Sequence, residues 1–299
     1  MIYDDGMEII MDKKIKIGIL TLGCKVNQYE SEAIAEALIG KGFSVAPHNQ
    51  VCDAYIVNTC TVTAESDRKA RQMIRRMIGK NPTAYILVTG CYSQVSPDEV
   101  SNISGVDYLC GSSNKMTVVD KLCSLIESGK KAEKAEICVP DLDESGFEPM
   151  SIRRFDRTRA YVKIEDGCES KCAYCTIPAS RGPIRSKPFS KVIDEVKALT
   201  ENGVREVVLT GIETGSYGRD LPEDEDLASL LATIDKIDCI GRVRTGSLDP
   251  TVVKPAFVET IRDLKSLCPH FHLSLQSGSN RILALMKRKY NREQAMACI

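Results

Sequence analysis

The chain has 299 residues, enough for about two domains that each bury a core. Hydrophobic residues make up 43% and charged ones 27%, and 40 basic side chains face 41 acidic ones for a net charge of −1. That balance excludes wholesale disorder and a polycationic binder, yet leaves room for local basic patches.

In chain order, the first block runs from about residue 14 to 129. Ile15–Leu20, Ala54–Asn58, Tyr85–Thr89 and Val106–Cys110 are near-continuous apolar runs, the pattern of strands buried on both faces. Between them, Tyr29 to Ile39 reads as a helix, with Asn27 as N-cap, Glu30 completing a capping box, and Gly40 and Gly42 closing it. A second helix places Ala70, Met73, Ile74, Met77 and Ile78 on one face and stops at Gly79, before Asn81-Pro82. Residues 130–152 turn polar and read as an interdomain linker with one short strand at Ile137–Val139, or else as a surface excursion within one domain. The second block, residues 153–299, alternates again. Strands are expected at Ala160–Ile164, Glu206–Thr210, Val243–Leu248 and His272–Gln276, and helices at Ser190–Asn202, Asp226–Ile237 and Pro255–Leu267. The expected fold is α/β: a parallel-sheet, Rossmann-like N-terminal domain followed by an incomplete (β/α) barrel. The last residues stop inside a helical pattern, and four strands do not close a barrel, so the sequence reads as a fragment of a longer protein.

No apolar run reaches the roughly 18 residues of a membrane span. Met1 to Lys14, with Asp4, Asp5, Glu8 and Asp12, has no stretch suited to a secretory signal, so the expected location is cytoplasmic, with no membrane partner. In a reducing cytosol, thirteen cysteines beside three histidines (His48, His270 and His272) argue against disulfides and mixed Cys/His fingers, and for iron–sulfur or all-cysteine metal sites. Cys168, Cys172 and Cys175 form a C-x3-C-x2-C triplet directly after the strand at Ala160–Ile164. Three thiolates so close can wrap one four-iron cluster and leave one iron open to chelate a substrate's amino and carboxylate groups, such as those of S-adenosylmethionine. A zinc site short of its fourth ligand, or unconnected thiols, would be the alternatives. Cys24, Cys60 and Cys91 each sit just past an apolar strand, so a parallel sheet would bring them to one edge and to a second cluster. Cys110 also ends a strand, so placement alone does not separate ligand from bystander.

At these residues the chain resembles the radical S-adenosylmethionine methylthiotransferases. Thr21 to Glu30 (Thr-Leu-Gly-Cys-Lys-Val-Asn-Gln-Tyr-Glu), Asn58 to Thr63 and Thr89 to Gln94 resemble the family's N-terminal domain. Asp166 through Ser186 and His270 to Ser279 resemble its radical domain. The run from Cys24 to Glu30 is most similar to the branch acting on threonylcarbamoyl-adenosine in tRNA; the others act on isopentenyl-adenosine in tRNA or on a ribosomal-protein aspartate. The resemblance implies two 4Fe–4S clusters, one on Cys168, Cys172 and Cys175 and an auxiliary one on Cys24, Cys60 and Cys91. It also implies S-adenosylmethionine as cofactor, tRNA as substrate, and an electron donor such as a flavodoxin or ferredoxin. In the implied chemistry the first cluster splits S-adenosylmethionine, the resulting radical takes hydrogen from C2 of the adenine, the auxiliary cluster delivers sulfur, and a second S-adenosylmethionine methylates it. The family's last two barrel strands and its RNA-binding β-barrel are absent from this sequence.

By the same resemblance Tyr174 would lie near the adenine, unless it only packs at the barrel mouth, and Thr210-Gly211 would meet the methionine amino group, unless it is only a tight turn. Ser247, Gln276 and Ser277, with Asp249 as a further candidate, close strands at the carboxyl face, where ribose or carboxylate would bind. Cys52, Cys110, Cys123, Cys138, Cys239, Cys268 and Cys298 are expected to be structural. Basic clusters at Arg68, Lys69, Arg71, Arg75 and Arg76, at Arg181, Arg185 and Lys187, and at Lys287, Arg288, Lys289 and Arg292 are candidate tRNA contacts or solvated faces, the second being the leading candidate. A non-catalytic iron–sulfur or zinc protein, acting as electron carrier or binding module, is the competing reading of another class.

Overall fold

In the computed structural model the apolar runs become two parallel-stranded layers, described for residues 14–155 and 158–299; the acidic start read above, Met1 to Asp12, lies outside them. The first half contains β1 (Lys16–Thr21), α1 (Lys25–Gly40), β2 (Ser44–Pro47), β3 (Ala54–Thr59), α2 (Ala64–Lys80), β4 (Tyr85–Gly90), α3 (Cys91–Val95), α4 (Pro97–Ser101), β5 (Tyr108–Cys110), α5 (Thr117–Ser128) and β6 (Glu136–Cys138). Its strands form one sheet in the order β2-β1-β3-β4-β5-β6, with every pair parallel. β3 is buried at every residue, which is why it carries no polar alternation. Burial of each Val, Leu or Ile side chain on such a strand contributes roughly 1.5–3 kcal/mol. α2 buries Ala70, Ile74 and Met77, and Thr63 caps it by accepting from Ser66 N–H. The strand expected in the polar stretch forms as β6 and pairs with β5 along the sheet edge.

The second half contains β7 (Ala160–Lys163), β8 (Glu165–Asp166), α6 (Ile177–Arg181), β9 (Arg185–Ser186), α7 (Phe189–Glu201), β10 (Glu206–Thr210), α8 (Leu227–Ile234), β11 (Arg242–Thr245), β12 (Ser247–Leu248), α9 (Pro255–Ile261), β13 (His272–Leu273), α10 (Asn280–Leu285) and α11 (Arg292–Ala297). β11, β10 and β7 run parallel, and β12 pairs with β13, giving an arc of four βα units. β8 and β9 form a small antiparallel pair beside it.

Four local expectations change. α1 starts at Lys25 with Cys24 at its N-cap, because Asn27 spends its side-chain amide on Leu22 O and Thr59 O, both at 2.8 Å, and Glu30 is buried among cations. The strand expected over Val243–Leu248 breaks at Gly246, whose N–H turns back to Leu209 O at 2.7 Å. The last expected strand shortens to His272–Leu273, since Gln276 adopts φ +62 and leaves the extended region. The helix expected over Pro255–Leu267 ends at Ile261.

The two halves share a core. Tyr29 and Ala33 of α1 pack in the same apolar cluster as Val162, Val192, Val207 and Leu230. The Tyr29 hydroxyl lies 2.9 Å from both Met150 O and Glu195 Oε1, and Lys187 Nζ reaches Glu195 Oε2 at 2.5 Å. Among the described residues, no helix is long and apolar enough to cross a membrane.

Candidate functional site

The carboxyl ends of β1, β3 and β4 deliver Cys24, Cys60 and Cys91, and the three thiols line one cavity of about 490 Å³. Two glycines make the approach possible. Gly23, at φ +105, passes so close that a Cβ there would stand 2.9 Å from Cys60 Cβ and 3.1 Å from its Sγ. Gly90, at φ +107, crosses Thr59, whose carbonyl oxygen would lie 2.5 Å from an added Cβ. Burial pushes the Cys60 thiol up, and the neighbouring Cys91 and Cys24 push the same way. Cys110, at the end of β5, is enclosed in the apolar core, reaches Thr89 Oγ1 at 3.2 Å and is pushed up to about 12 by burial. It is not among the residues that line the cavity.

The opposite wall of this cavity comes from the second half: Ile177, Gly211, Ile212 and Ser247. Two of the residues expected to contact S-adenosylmethionine, Gly211 and Ser247, thus face the three sheet thiols across one space. Thr210 is buried directly before Gly211, and its carbonyl accepts from Ile164 N–H at 2.9 Å. An added Cβ on Gly211 would stand 2.5 Å from Glu165 Oε2, so the close approach itself calls for glycine here. Glu165 is fully buried, and desolvation drives its carboxyl far above the usual range.

The triplet lies on the loop between β8 and α6. Cys168 Sγ accepts from Ser170 N–H at 3.4 Å, Cys175 N–H bonds Cys172 O, and Cys172 Sγ accepts from Arg288 Nη1 at 3.3 Å. Arg288 also grips Asp249 Oδ2 at 2.6 Å and stacks its guanidinium 5.0 Å from the Tyr290 ring centre. Asp249 is therefore engaged by an arginine. Tyr174 is 52% exposed, and the thiols of Cys172 and Cys175 are among the groups that raise its hydroxyl, after burial. Gln276 is exposed and Ser277 Oγ accepts from Ser279 N–H; neither is among the residues lining the cavity.

The cluster at Arg181, Arg185 and Lys187 is corrected by the structure: all three side chains are buried. Arg181 meets Glu30 and Asp166, Arg185 lies near Asp166, and Lys187 meets Glu195. They are internal ion pairs and not a surface for phosphate. Arg288, grouped with the terminal basic residues, likewise belongs to the triplet. Asn27, Glu30 and Lys163 escaped the sequence reading as site residues. Cys24, Asn27 and Glu30 at three-residue spacing on one helix were the available signal.

Among the described residues, no three Cys, His, Asp or Glu side chains converge closely enough to hold a single metal ion. The sheet thiols instead ring a cavity, three soft donors without an imidazole, and this suits a body broad enough to bridge them.

Fold and site together define a βα-arc protein of the radical S-adenosylmethionine class with an added parallel-sheet domain. Residues 162–299 match the Radical SAM superfamily and residues 16–111 match Uncharacterized protein family UPF0004. The threonylcarbamoyladenosine tRNA methylthiotransferase MtaB of Aquifex aeolicus is 36% identical over 286 residues, 94% of this chain and 67% of that protein. That of Bacillus subtilis is 38% identical over 276 residues, 91% of this chain and 60% of its own. The tRNA-2-methylthio-N(6)-dimethylallyladenosine synthase of Aquifex aeolicus is 33% identical, over 93% of this chain and 64% of that protein. In fold alone the chain is similar to the radical S-adenosylmethionine methyltransferase TsrM from Kitasatospora setae, with TM-score 0.64 at 14% identity over 95% of this chain and 65% of that one. The chain belongs to the radical S-adenosylmethionine methylthiotransferase family. It spans about three fifths to two thirds of the length of these curated relatives.

Proposed function

We propose that this chain carries the two cofactor sites of a tRNA methylthiotransferase that places a methylthio group on C2 of N6-threonylcarbamoyladenosine beside the anticodon. The observation that carries the reading is the single cavity lined on one side by Cys24, Cys60 and Cys91 and on the other by Gly211 and Ser247. Such a cavity sets the thiols that would hold the sulfur source against residues expected to meet S-adenosylmethionine. Cys168, Cys172 and Cys175 would hold one 4Fe–4S cluster and the sheet thiols the other. When bound, the first supplies the electron that cleaves S-adenosylmethionine to a carbon radical, and the second carries the sulfur.

The chain's own residues then have defined tasks. Gly211, with no side chain, lets the chain after β10 pack against Glu165 while lining the cavity. Ser247 offers a hydroxyl to a ribose or carboxylate, and Tyr174 an exposed ring for an adenine. Arg288 holds Cys172 and Asp249 together, which fixes the loop. Asn27 locks the turn before α1 to Thr59 and so fixes Cys24 against Cys60. Cytoplasmic tRNA and a small electron-transfer protein would be the partners. The choice of threonylcarbamoyl-adenosine rests on the motif from Cys24 to Glu30 and on relatives so named at 36–38% identity.

Anaerobic reconstitution followed by iron and sulfide analysis tests the cofactors, with about eight irons per chain expected. Incubation with S-adenosylmethionine and a reductant should then release 5′-deoxyadenosine. Zinc without sulfide would overturn the assignment. Nucleoside mass spectrometry of a deletion strain tests the substrate: methylthiolated threonylcarbamoyl-adenosine should vanish. If it persists while the isopentenyl analogue is lost, the other tRNA branch is correct.

A further inference from the structure

Behind the three-thiol cavity lies an ionic cluster whose charges do not cancel. Arg181 Nη1 meets Glu30 Oε1 at 2.6 Å and Asp166 Oδ2 at 3.1 Å, while Nη2 donates to Asn27 Oδ1 at 2.6 Å. Lys163 Nζ bridges the same two carboxylates at 2.8 and 2.6 Å. Lys115 Nζ contacts Glu30 and donates to Asn58 Oδ1 at 3.0 Å. Glu30 and Lys115 come from the sheet half, and Lys163, Asp166 and Arg181 from the other; all five side chains are buried. Three cations thus meet two carboxylates. Arg185, 3.8 Å from Asp166, adds a fourth cation, and Glu148 lies near enough to feel both Lys163 and Glu30. Four cations against three carboxylates still leave one positive charge in surplus. Among the described residues Glu165 forms no ion pair with these cations; its Oε2 instead accepts from Glu213 N–H at 2.9 Å.

An unbalanced buried cation is costly unless an anion meets it. Here the surplus is aimed: Arg181 Nε points out of the cluster and donates to Cys91 Sγ at 3.2 Å. Three thiolates around a four-iron, four-sulfide core carry one net negative charge when oxidised and two after one electron is added. The surplus has the sign and size to meet that anion.

We propose that the Arg181–Lys115–Lys163 group is the built-in countercharge of a cluster on Cys24, Cys60 and Cys91, with Arg181 as the positioning residue that presents it to Cys91. This rests on the cluster assignment proposed above. Because reduction adds negative charge, the surplus favours the reduced state and raises the reduction potential. Because both halves of the chain supply the charges, filling the thiol site tightens the joint between them; a charge that favours the loaded state is favoured by loading in return.

The test uses the protein with Cys168, Cys172 and Cys175 all replaced by Ala, so that only the sheet thiols hold iron. It is reconstituted anaerobically, assayed for iron and sulfide, and titrated redox-potentiometrically by electron paramagnetic resonance. Lys115→Gln should lower the potential and Glu30→Gln should raise it, although neither side chain touches a thiol. Arg181→Met should lower it further, and Arg181→Lys by less than Arg181→Met. A merely structural role would weaken the fold in each variant without opposite shifts. If the triple variant takes up no iron and sulfide, the cluster assignment fails. If it loads normally but the Lys115 and Glu30 substitutions shift the potential in the same direction, or not at all, the countercharge is refuted while the assignment stands. Should these variants not fold, hydrogen exchange on the unsubstituted sheet-thiol protein decides: loading should slow exchange in α1 and α6, and unchanged exchange overturns the proposal.

Discussion

Cys60 and Cys110 end two strands of the same sheet, yet Cys60 opens onto the cavity while Cys110 is sealed against Thr89. In a chain extended to the full length of its relatives, Cys60→Ala should therefore lose about half the reconstituted iron, still release 5′-deoxyadenosine, and form no methylthiolated nucleoside. Cys172→Ala should abolish 5′-deoxyadenosine outright, and Cys110→Ala should keep iron and both products. Methylthiolation by Cys60→Ala, or its loss in folded Cys110→Ala, would show the ligands misassigned. At this scale the cysteines were legible because metal-binding spacing and strand-end placement are local signals. The charges were not. Arg181 reads as a basic residue in a basic run, and its partner Glu30 lies 151 positions earlier, so no local pattern discloses its burial.

At the scale of elements, the strands that carry cysteines were readable because double-sided burial writes continuous apolar runs. The ends were less so. Asn27 looks like a cap by composition, but its amide is claimed by Leu22 and Thr59 across the turn, a tertiary demand that moves the cap three residues back to Cys24. α6 is five residues long, too short for periodicity to register, although it delivers Arg181. α5, which buries Val118, Val119, Leu122 and Leu125 and closes at Gly129, is a further helix that the sequence reading does not include. With the patch after the triplet turned inward, α2 is the better candidate for nucleic acid: Lys69, Arg75 and Arg76 are exposed, and Lys69 also lines the cavity. Replacing these three by Gln should weaken tRNA binding and flatten its salt dependence by about 0.7–0.9 per lost phosphate contact. A filter-binding titration across salt concentrations measures this; an unchanged slope would assign the helix to solvent alone.

For the molecule as a whole, two layers legible as separate blocks turn out to be joined by buried polar contacts that composition does not announce. Tyr29 reaches Glu195, Glu30 reaches Arg181 and Lys163, and the apolar cluster around Val162 takes in Ala33 of the first half. The polar stretch between the blocks is more than a tether, since β6 runs along the outer edge of β5. This has a practical consequence for anyone dissecting the molecule. A fragment cut after Gly129, where the helical pattern closes, would leave the backbone of β5 bare, and bare edges recruit other chains. The same fragment extended through Pro140 carries its own selvedge. Light scattering on residues 14–129 and 14–140 should find the shorter piece the more aggregation-prone, so the place where the sequence changes character and the place where the sheet ends are some ten residues apart.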